Sequence, residues 1–328
     1  MRLILLDHRR IQFAISLFFG LMVSAYGQGE RPSSIDQAYL PADPNEIPHY
    51  KGYELVWHDE FEGKGRPSKD WSYETGFVRN EELQYYQPDN ATVHDGVLDI
   101  EGRVERVMNQ KYYPQVDNWR HKRRYADYSS ASLTTQGSHA FRYGRFEIRA
   151  KIPTEMGSWP AIWLLGNKHE WPECGEIDIM EYYIKYGAPG ILANACWGGT
   201  KRYDGQWDEG YVAVSHFTKR DPQWTRKFHT WRLDWTPKYL KIYVDGELLN
   251  TIELKKTRNR GWQGNRINPF SSDEKDFGLY LILNLALGRN GGTPDNSLYP
   301  IHYLVDYVRV YQRTGNSIRS RHLTGTHK

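Results

Sequence analysis

A chain of 328 residues with 39% hydrophobic and 25% charged side chains can bury a sizeable core, and all-β folds of this length are often single domains. The formal charge of +3 sits at the ends: residues 1–27 carry +2 and the segment from Arg313 carries +4, leaving the body near −3. A nucleic-acid binder would show a basic face on the folded body, so that class is set aside.

The first 27 residues hold Arg2, Arg9 and Arg10, an apolar run from Ile11 to Ala25, and a small-x-small site at Ala25-Tyr26-Gly27. This pattern predicts a secretory signal peptide. The run is shorter than the roughly 20 residues that span a bilayer, and no cysteine follows to accept a lipid. A secreted or periplasmic protein without stable membrane insertion is therefore expected. Residues 28–50, rich in Pro, Ser, Asp and Glu and lacking periodicity, read as an extended leader.

The globular domain is expected over 51–312, as short alternating or apolar runs separated by turn signals. They run from Glu54 to His58, Ala91 to Ile100, Ala131 to Thr135, Arg145 to Ile152, Glu176 to Tyr182, Ile191 to Trp197, His229 to Trp235, Leu240 to Val244, Gly278 to Leu287 and Val305 to Tyr311. Asp95-Gly96 and Asp245-Gly246 each sit between two such runs, as a two-residue type I′ hairpin wants. Many short strands without intervening helices predict an all-β antiparallel sandwich or barrel. Residues 202–225 and 255–275 read as surface loops, the latter over a cleft edge, and the basic tail 313–328 as disordered. His229 is in phase with Trp231 and Leu233, which argues for a core-facing structural histidine.

The 12 Trp, 24 Tyr and 11 Phe exceed what a core of this size needs, so some are expected on a binding surface. Aromatic faces suit the apolar CH faces of sugars while their polar tips stay wet.

One stretch stands apart. Gly175-Glu176-Ile177-Asp178-Ile179-Met180-Glu181 places three carboxylates in apolar, β-favouring sequence. On a strand, Glu176 and Asp178 share one face and Ile177 and Ile179 the other, which leaves Glu181 on the wrong side. A β-bulge near Ile179 or Met180 would bring Glu181 back. Two glutamates flanking an aspartate suit glycosidic hydrolysis with retention, which needs carboxyls roughly 5 to 5.5 Å apart. Calcium would want about six to eight oxygens, more than a strand among aromatics offers. Ion pairing across a sheet is the plain structural alternative, and the Asp-Thr-Gly segments of an aspartic protease do not occur. Cys174 and Cys196 flank the cluster, and export would permit a disulfide. A hairpin around Lys185 to Pro189, however, sets Cys174 opposite a residue near Gly199, with Cys196 only a diagonal neighbour.

The run Glu176-Ile177-Asp178-Ile179-Met180-Glu181 resembles the bulged signature of glycoside hydrolase family 16, as in bacterial laminarinases and other β-glucanases. Tyr143 to Pro153 and Gly157 to Gly166 resemble that family's adjoining strand and turn, and Asn80 to Tyr86 its substrate-contacting loop. Trp57 to Phe61 and Asp306 to Tyr311 resemble its first and last strands. The resemblance implies a concanavalin A-like jelly roll with a concave cleft, and endo-acting retaining hydrolysis of β-linked polysaccharide. On matching positions it implies Glu176 as nucleophile, Asp178 as assisting carboxylate and Glu181 as acid/base. It further implies Asn80, Arg149, Trp159, Trp163 and Trp197 as substrate contacts. Glu60 and Asp306 match positions that hold a structural calcium in some relatives, and catalysis itself is expected to require no cofactor. A monomer acting on β-1,3- or mixed-linkage glucan is expected. One departure bears on the sugar: Cys196 stands before Trp197-Gly198-Gly199, where many β-1,3-glucanases of the family carry histidine. Endo-β-galactosidase activity on galactan or mucin-type glycans therefore remains an alternative, as does a non-catalytic glycan-binding jelly roll.

Overall fold

Alternation is strict in the strands that keep one face to water, whereas Leu279–Leu287 is buried along its whole length. In His229–Trp235 the buried residues are His229, Trp231, Leu233 and Trp235, and in Tyr239–Val244 they are Leu240, Ile242 and Val244. Each of these two strands thus turns an apolar face inward and a polar face outward. The computed structural model describes residues 38–315 and 321–325. The predicted signal peptide and the start of the predicted leader lie outside the described residues. The chain divides after Leu40 into two units, and every strand described belongs to the unit that begins at Pro41.

The strands are β1 (Tyr53–Asp59), β2 (Ser72–Tyr73), β3 (Gln84–Tyr86), β4 (Ala91–His94), β5 (Val97–Met108), β6 (Tyr125–Ser130), β7 (Ser132–Thr134), β8 (His139–Arg142), β9 (Gly144–Lys151) and β10 (Ser158–Gly166). They continue as β11 (Glu176–Lys185), β12 (Ala188–Gly198), β13 (Gly205–Ala213), β14 (His229–Trp235), β15 (Tyr239–Val244), β16 (Glu247–Glu253), β17 (Leu279–Leu287), β18 (Ile301–Arg313) and β19 (Arg321–Thr324). One sheet runs β13-β12-β11-β10-β17-β7-β2, with β8 and β19 attached through β17. The other runs β16-β15-β14-β9-β18-β5-β6-β3, with β1 on β18 and β4 on β5. Among the described residues only β3 and β6 pair in parallel. The two sheets close on one core that joins Trp231, Leu233 and Phe146 of the second to Ile162, Ile177 and Leu283 of the first. This is the predicted β-sandwich.

Both Asp-Gly hairpins form, with Asp95 and Gly96 at φ 50° and 75° and Asp245 and Gly246 at 50° and 84°. His229 is buried as expected: its ring nitrogens meet Asp245 Oδ2 at 2.6 Å and the Trp224 carbonyl at 2.7 Å, and the ring stacks on Trp224. The later part of the predicted leader is tied to the second sheet, with the Ala42 N–H donating to Asp306 and the Tyr50 hydroxyl to Glu147.

Three expectations need correction. The stretch 202–225 is not a loop: it contains β13 and a short helix at Val214–Thr218, since Gly205 to Ala213 can complete the edge of β12. The stretch 255–275 lines no part of the cleft and instead braces β12, with Asn259 Oδ1 accepting from Gly198 N at 2.7 Å. In the tail, Arg321–Thr324 forms a strand on β8, where His322 stacks on Phe141 and its Nε2 lies 2.8 Å from His139 Nδ1. Among the described residues no helix is long and apolar enough to cross a membrane.

Candidate active site

Strand β11 carries the bulge. Its register against β12 sets Glu176 opposite Cys196 and Asp178 opposite Asn194, then slips so that Glu181 faces Leu192. Ile179 and Met180 together oppose Ala193, and both are fully buried in the core. That extra residue returns Glu181 to the face of Glu176 and Asp178. All three line an open cleft of about 850 Å³ over the first sheet, together with Trp159, Trp163 and Asn80.

Each carboxylate has its own hydrogen-bond donor. The indole N–H of Trp171 reaches Glu176 Oε2 at 2.5 Å, that of Trp159 reaches Glu181 Oε1 at 3.0 Å, and Asn194 Nδ2 reaches Asp178 Oδ2 at 3.2 Å. Asp178 is 1% exposed. Its carboxyl is pushed well above the usual range by burial, then by the charges of Glu176 and Glu181. Burial and Glu176 likewise raise Glu181, to about 7, against the pull of the Trp159 N–H. Glu176 is raised by burial but held down by hydrogen bonds from Trp171 and Asp178. Three carboxylates in one desolvated site cannot all ionise. Protons on Asp178 and Glu181 with the charge on Glu176 satisfy the donors, because Asp178 then donates to Glu176. Glu181, raised to about 7, thus holds its proton more tightly than an ordinary carboxyl, while Glu176 on the same cleft floor has two donors favouring its charge, an arrangement suited to acid and nucleophile chemistry on one bond.

Comparison with known proteins agrees with this geometry. A family model described as glycosyl hydrolases family 16 matches residues 98–269. A beta-glucanase from Rhodothermus marinus is 34% identical over 292 residues, covering 82% of this chain and 87% of that protein. The chain is a glycoside hydrolase of family 16. This hydrolase is also 34% identical over 304 residues to glucan endo-1,3-beta-glucosidase A1 from Niallia circulans, covering 86% of this chain but only 41% of that protein. A structure solved in a study of endo-acting O-glycanases, expressed by human gut microbiota to initiate mucin breakdown, superimposes with a TM-score of 0.69 at 33% identity. That match covers 80% of this chain and 92% of the other.

Trp159 and Trp163 line the family 16 cleft, Trp163 donating to Asn284 Oδ1 at 2.7 Å. Asn80 lines the cleft with φ 54° and donates to Glu82 Oε1 at 3.1 Å. Two expected contacts lie elsewhere. Trp197 alternates in phase with Ile191, Ala193 and Ala195, and packs in the core with them. Arg149 lies on β9 between the core residues Ile148 and Ala150, so it points out of the second sheet, where it pairs with Asp306 and covers Phe228.

Residues from distant segments complete the cleft. Trp171 comes from the turn before β11, and Trp207, 47% exposed, from β13. Arg79 lies over Trp163, 5.0 Å from the ring centre, and pairs with Glu74. No local pattern marks these positions. Cys174 and Cys196 are free and buried, with burial raising both thiols. The register explains it: Cys196 faces Glu176, so Cys174 falls beyond it toward Gly198.

At the expected calcium positions the donors are already engaged. Glu60 and Asp306 share a pocket of about 190 Å³ with Glu62 and Gly63. Arg309 spans Glu60 at 2.9 and 2.7 Å, and Arg149 pairs with Asp306, so arginine already meets each charge. Among the described residues no group of three or more His, Cys, Asp or Glu is placed to hold a metal ion. These donors do not fit a calcium site.

Proposed function

We propose that this hydrolase is an endo-acting retaining enzyme that cleaves β-1,3- or mixed-linkage β-1,3(4)-glucan. Glu176 attacks the anomeric carbon while Glu181 gives its proton to the departing glycosidic oxygen. The bond to Glu176 is then broken by water, whose proton returns to Glu181. Asp178 donates a hydrogen bond to Glu176 and loosens it as charge leaves that carboxylate. Trp159 and Trp163 offer faces for sugar rings, and Asn80 a polar contact. The observation that carries this reading is the bulged strand, which brings Glu176, Asp178 and Glu181 onto one face at the cleft floor. The named activities of the two relatives support glucan as the sugar. We propose also that the chain is exported, on the basic start and apolar run of residues 1–27, that the domain over 51–312 is the catalytic one, and that it acts as a monomer.

Cys196 favours a second reading. A buried cysteine cannot make a histidine's hydrogen bond to a sugar hydroxyl, and sites lose much selectivity with such a contact. With the likeness to the O-glycanase structure, this supports β-galactoside cleavage in mucin-type glycans. Release of reducing ends from laminarin, lichenan, agarose and mucin glycans separates the readings, and NMR of the first product gives the anomer. Glu176→Ala abolishes turnover but keeps ligand binding, and Glu181→Ala spares substrates with good leaving groups. A glycan bound but not cleaved with Glu176 intact, across the whole panel, would remove the enzyme reading.

A further inference from the structure

We propose that the cleft edge formed by Arg120 and Arg289 is a subsite for an oxyanion substituent, a sulfate ester or a carboxylate, on the glycan chain. This rests on the reading of the cleft as the glycan-cleaving site. The loop from Val78 to Glu82 forms that edge, and its carbonyls are held by arginines from elsewhere. Arg120 Nε donates to the Val78 carbonyl at 2.7 Å and Arg289 Nε to the Asn80 carbonyl at 2.6 Å. Arg123 donates to the carbonyls of Glu81, at 2.8 Å, and Glu82. Asn80 and Glu81 both take left-handed backbone, φ 54° and 53°, a conformation uncommon for non-glycine residues and costlier for glutamate than for asparagine.

Holding the loop uses only one nitrogen of Arg120 and of Arg289. Both residues are exposed, both line the cleft, and their anchor carbonyls are two residues apart on one loop. Among the described residues no carboxylate pairs with either. The neighbouring charges are otherwise accounted for. Glu74 pairs with Arg79, and Glu81 lies against Arg123. Glu82 is buried, which favours its protonated form. Two forked guanidinium ends therefore face the cleft without a counter-charge. A hydroxyl does not need that arrangement, whereas sulfate and carboxylate oxygens fit the paired N–H groups of a guanidinium. Trp171 and Trp207 line the same cleft and can hold a ring face while the substituent meets the arginines.

The test uses the Glu176→Gln protein, which binds without turnover, and calorimetry with laminarin, lichenan, agarose and mucin-type oligosaccharides in neutral, sulfated and carboxylated forms. For the backbone that the wild type cleaves, an anionic form is expected to bind about tenfold tighter than the neutral one at about 0.1 M salt. The advantage should vanish near 1 M, where the screening length falls to ~3 Å. It should also vanish when Arg120→Gln and Arg289→Gln are added, judged by the ratio of anionic to neutral affinity so that a general loss cancels. Which anion gains more identifies the substituent. Equal binding of neutral and anionic forms, or an advantage that survives both substitutions, overturns the proposal. Failure of the functional reading shows separately, as wild-type protein that cleaves no neutral glycan.

Discussion

Replacing Trp159 with Phe tests the proton placement directly. The Trp159 N–H lies 3.0 Å from Glu181 Oε1, while the other donor, Asn194 Nδ2, is at 3.4 Å from Oε2. Trp159 favours the ionised carboxylate, so removing its N–H raises the pKa of Glu181 from its value of about 7. A hydrogen bond to a charged group is worth about 1.5–3 kcal/mol, and the open cleft places this one at the low end. At ~1.4 kcal/mol per unit, the shift is about one pH unit upward. Phenylalanine keeps the ring face for the sugar and the edge contact with Tyr183. The assay is the pH dependence of kcat/KM on the preferred glycan. Wild type should lose activity above about pH 7 as Glu181 ionises, and the variant about one unit later, with the acid limb unmoved. A basic limb that stays put or moves down would show that Glu181 is not the titrating acid.

Deletion of Ile179 should leave Glu176, Asp178 and the third glutamate alternating regularly on the cleft face. The protein should fold about 2–5 kcal/mol less stable for the lost buried side chain, with detectable turnover. Deletion of both Ile179 and Met180 should turn that glutamate to the core and abolish activity, as denaturant melts and reducing-end assays will tell. Arg309, 2% exposed, is the counter-charge of Glu60, so Arg309→Met should cost about 3–5 kcal/mol and lower Tm. Adding Glu60→Met should recover most of it; no recovery would show that packing, not charge, was lost. His322 is held down to about 4 by burial and by His139, so it stays neutral when folded but takes a proton when unfolded below about 6.5. Stability of β19 on β8 is therefore present above about pH 6.5 and falls as pH drops toward 4. Protection factors of the amides at 321–325, which remove the intrinsic pH dependence of exchange, should fall over that window, with Asp70, which meets His139 at 3.0 Å, opposing the change.

The sandwich was legible because its strands are short alternating or apolar runs between turn signals, and the bulge because Glu181 broke the alternation of Glu176 and Asp178. Trp197 shows the cost of preferring resemblance over phase: Ile191, Ala193 and Ala195 already put it on the core face. Arg149 has the same lesson, since Ile148 and Ala150 fix its direction. Arg79, Arg120, Trp207 and Arg289 carry no local signature, because what unites them is the meeting of four separate segments at one cleft. The strand at 321–324 was masked by its basic, polar composition, which suits an edge strand as well as a disordered tail.

At the Val78 to Glu82 edge, the same side chains set both the contour of the rim and its electrical character. Exchanging Arg289 for a neutral residue would change what the cleft attracts and also release the Asn80 carbonyl beneath a strained turn. Drift from one glycan class to another by single substitutions is thereby discouraged, because an intermediate with the new charge would have a loosened rim. Retuning this enzyme would call for moving the loop and its arginines together, as one cassette.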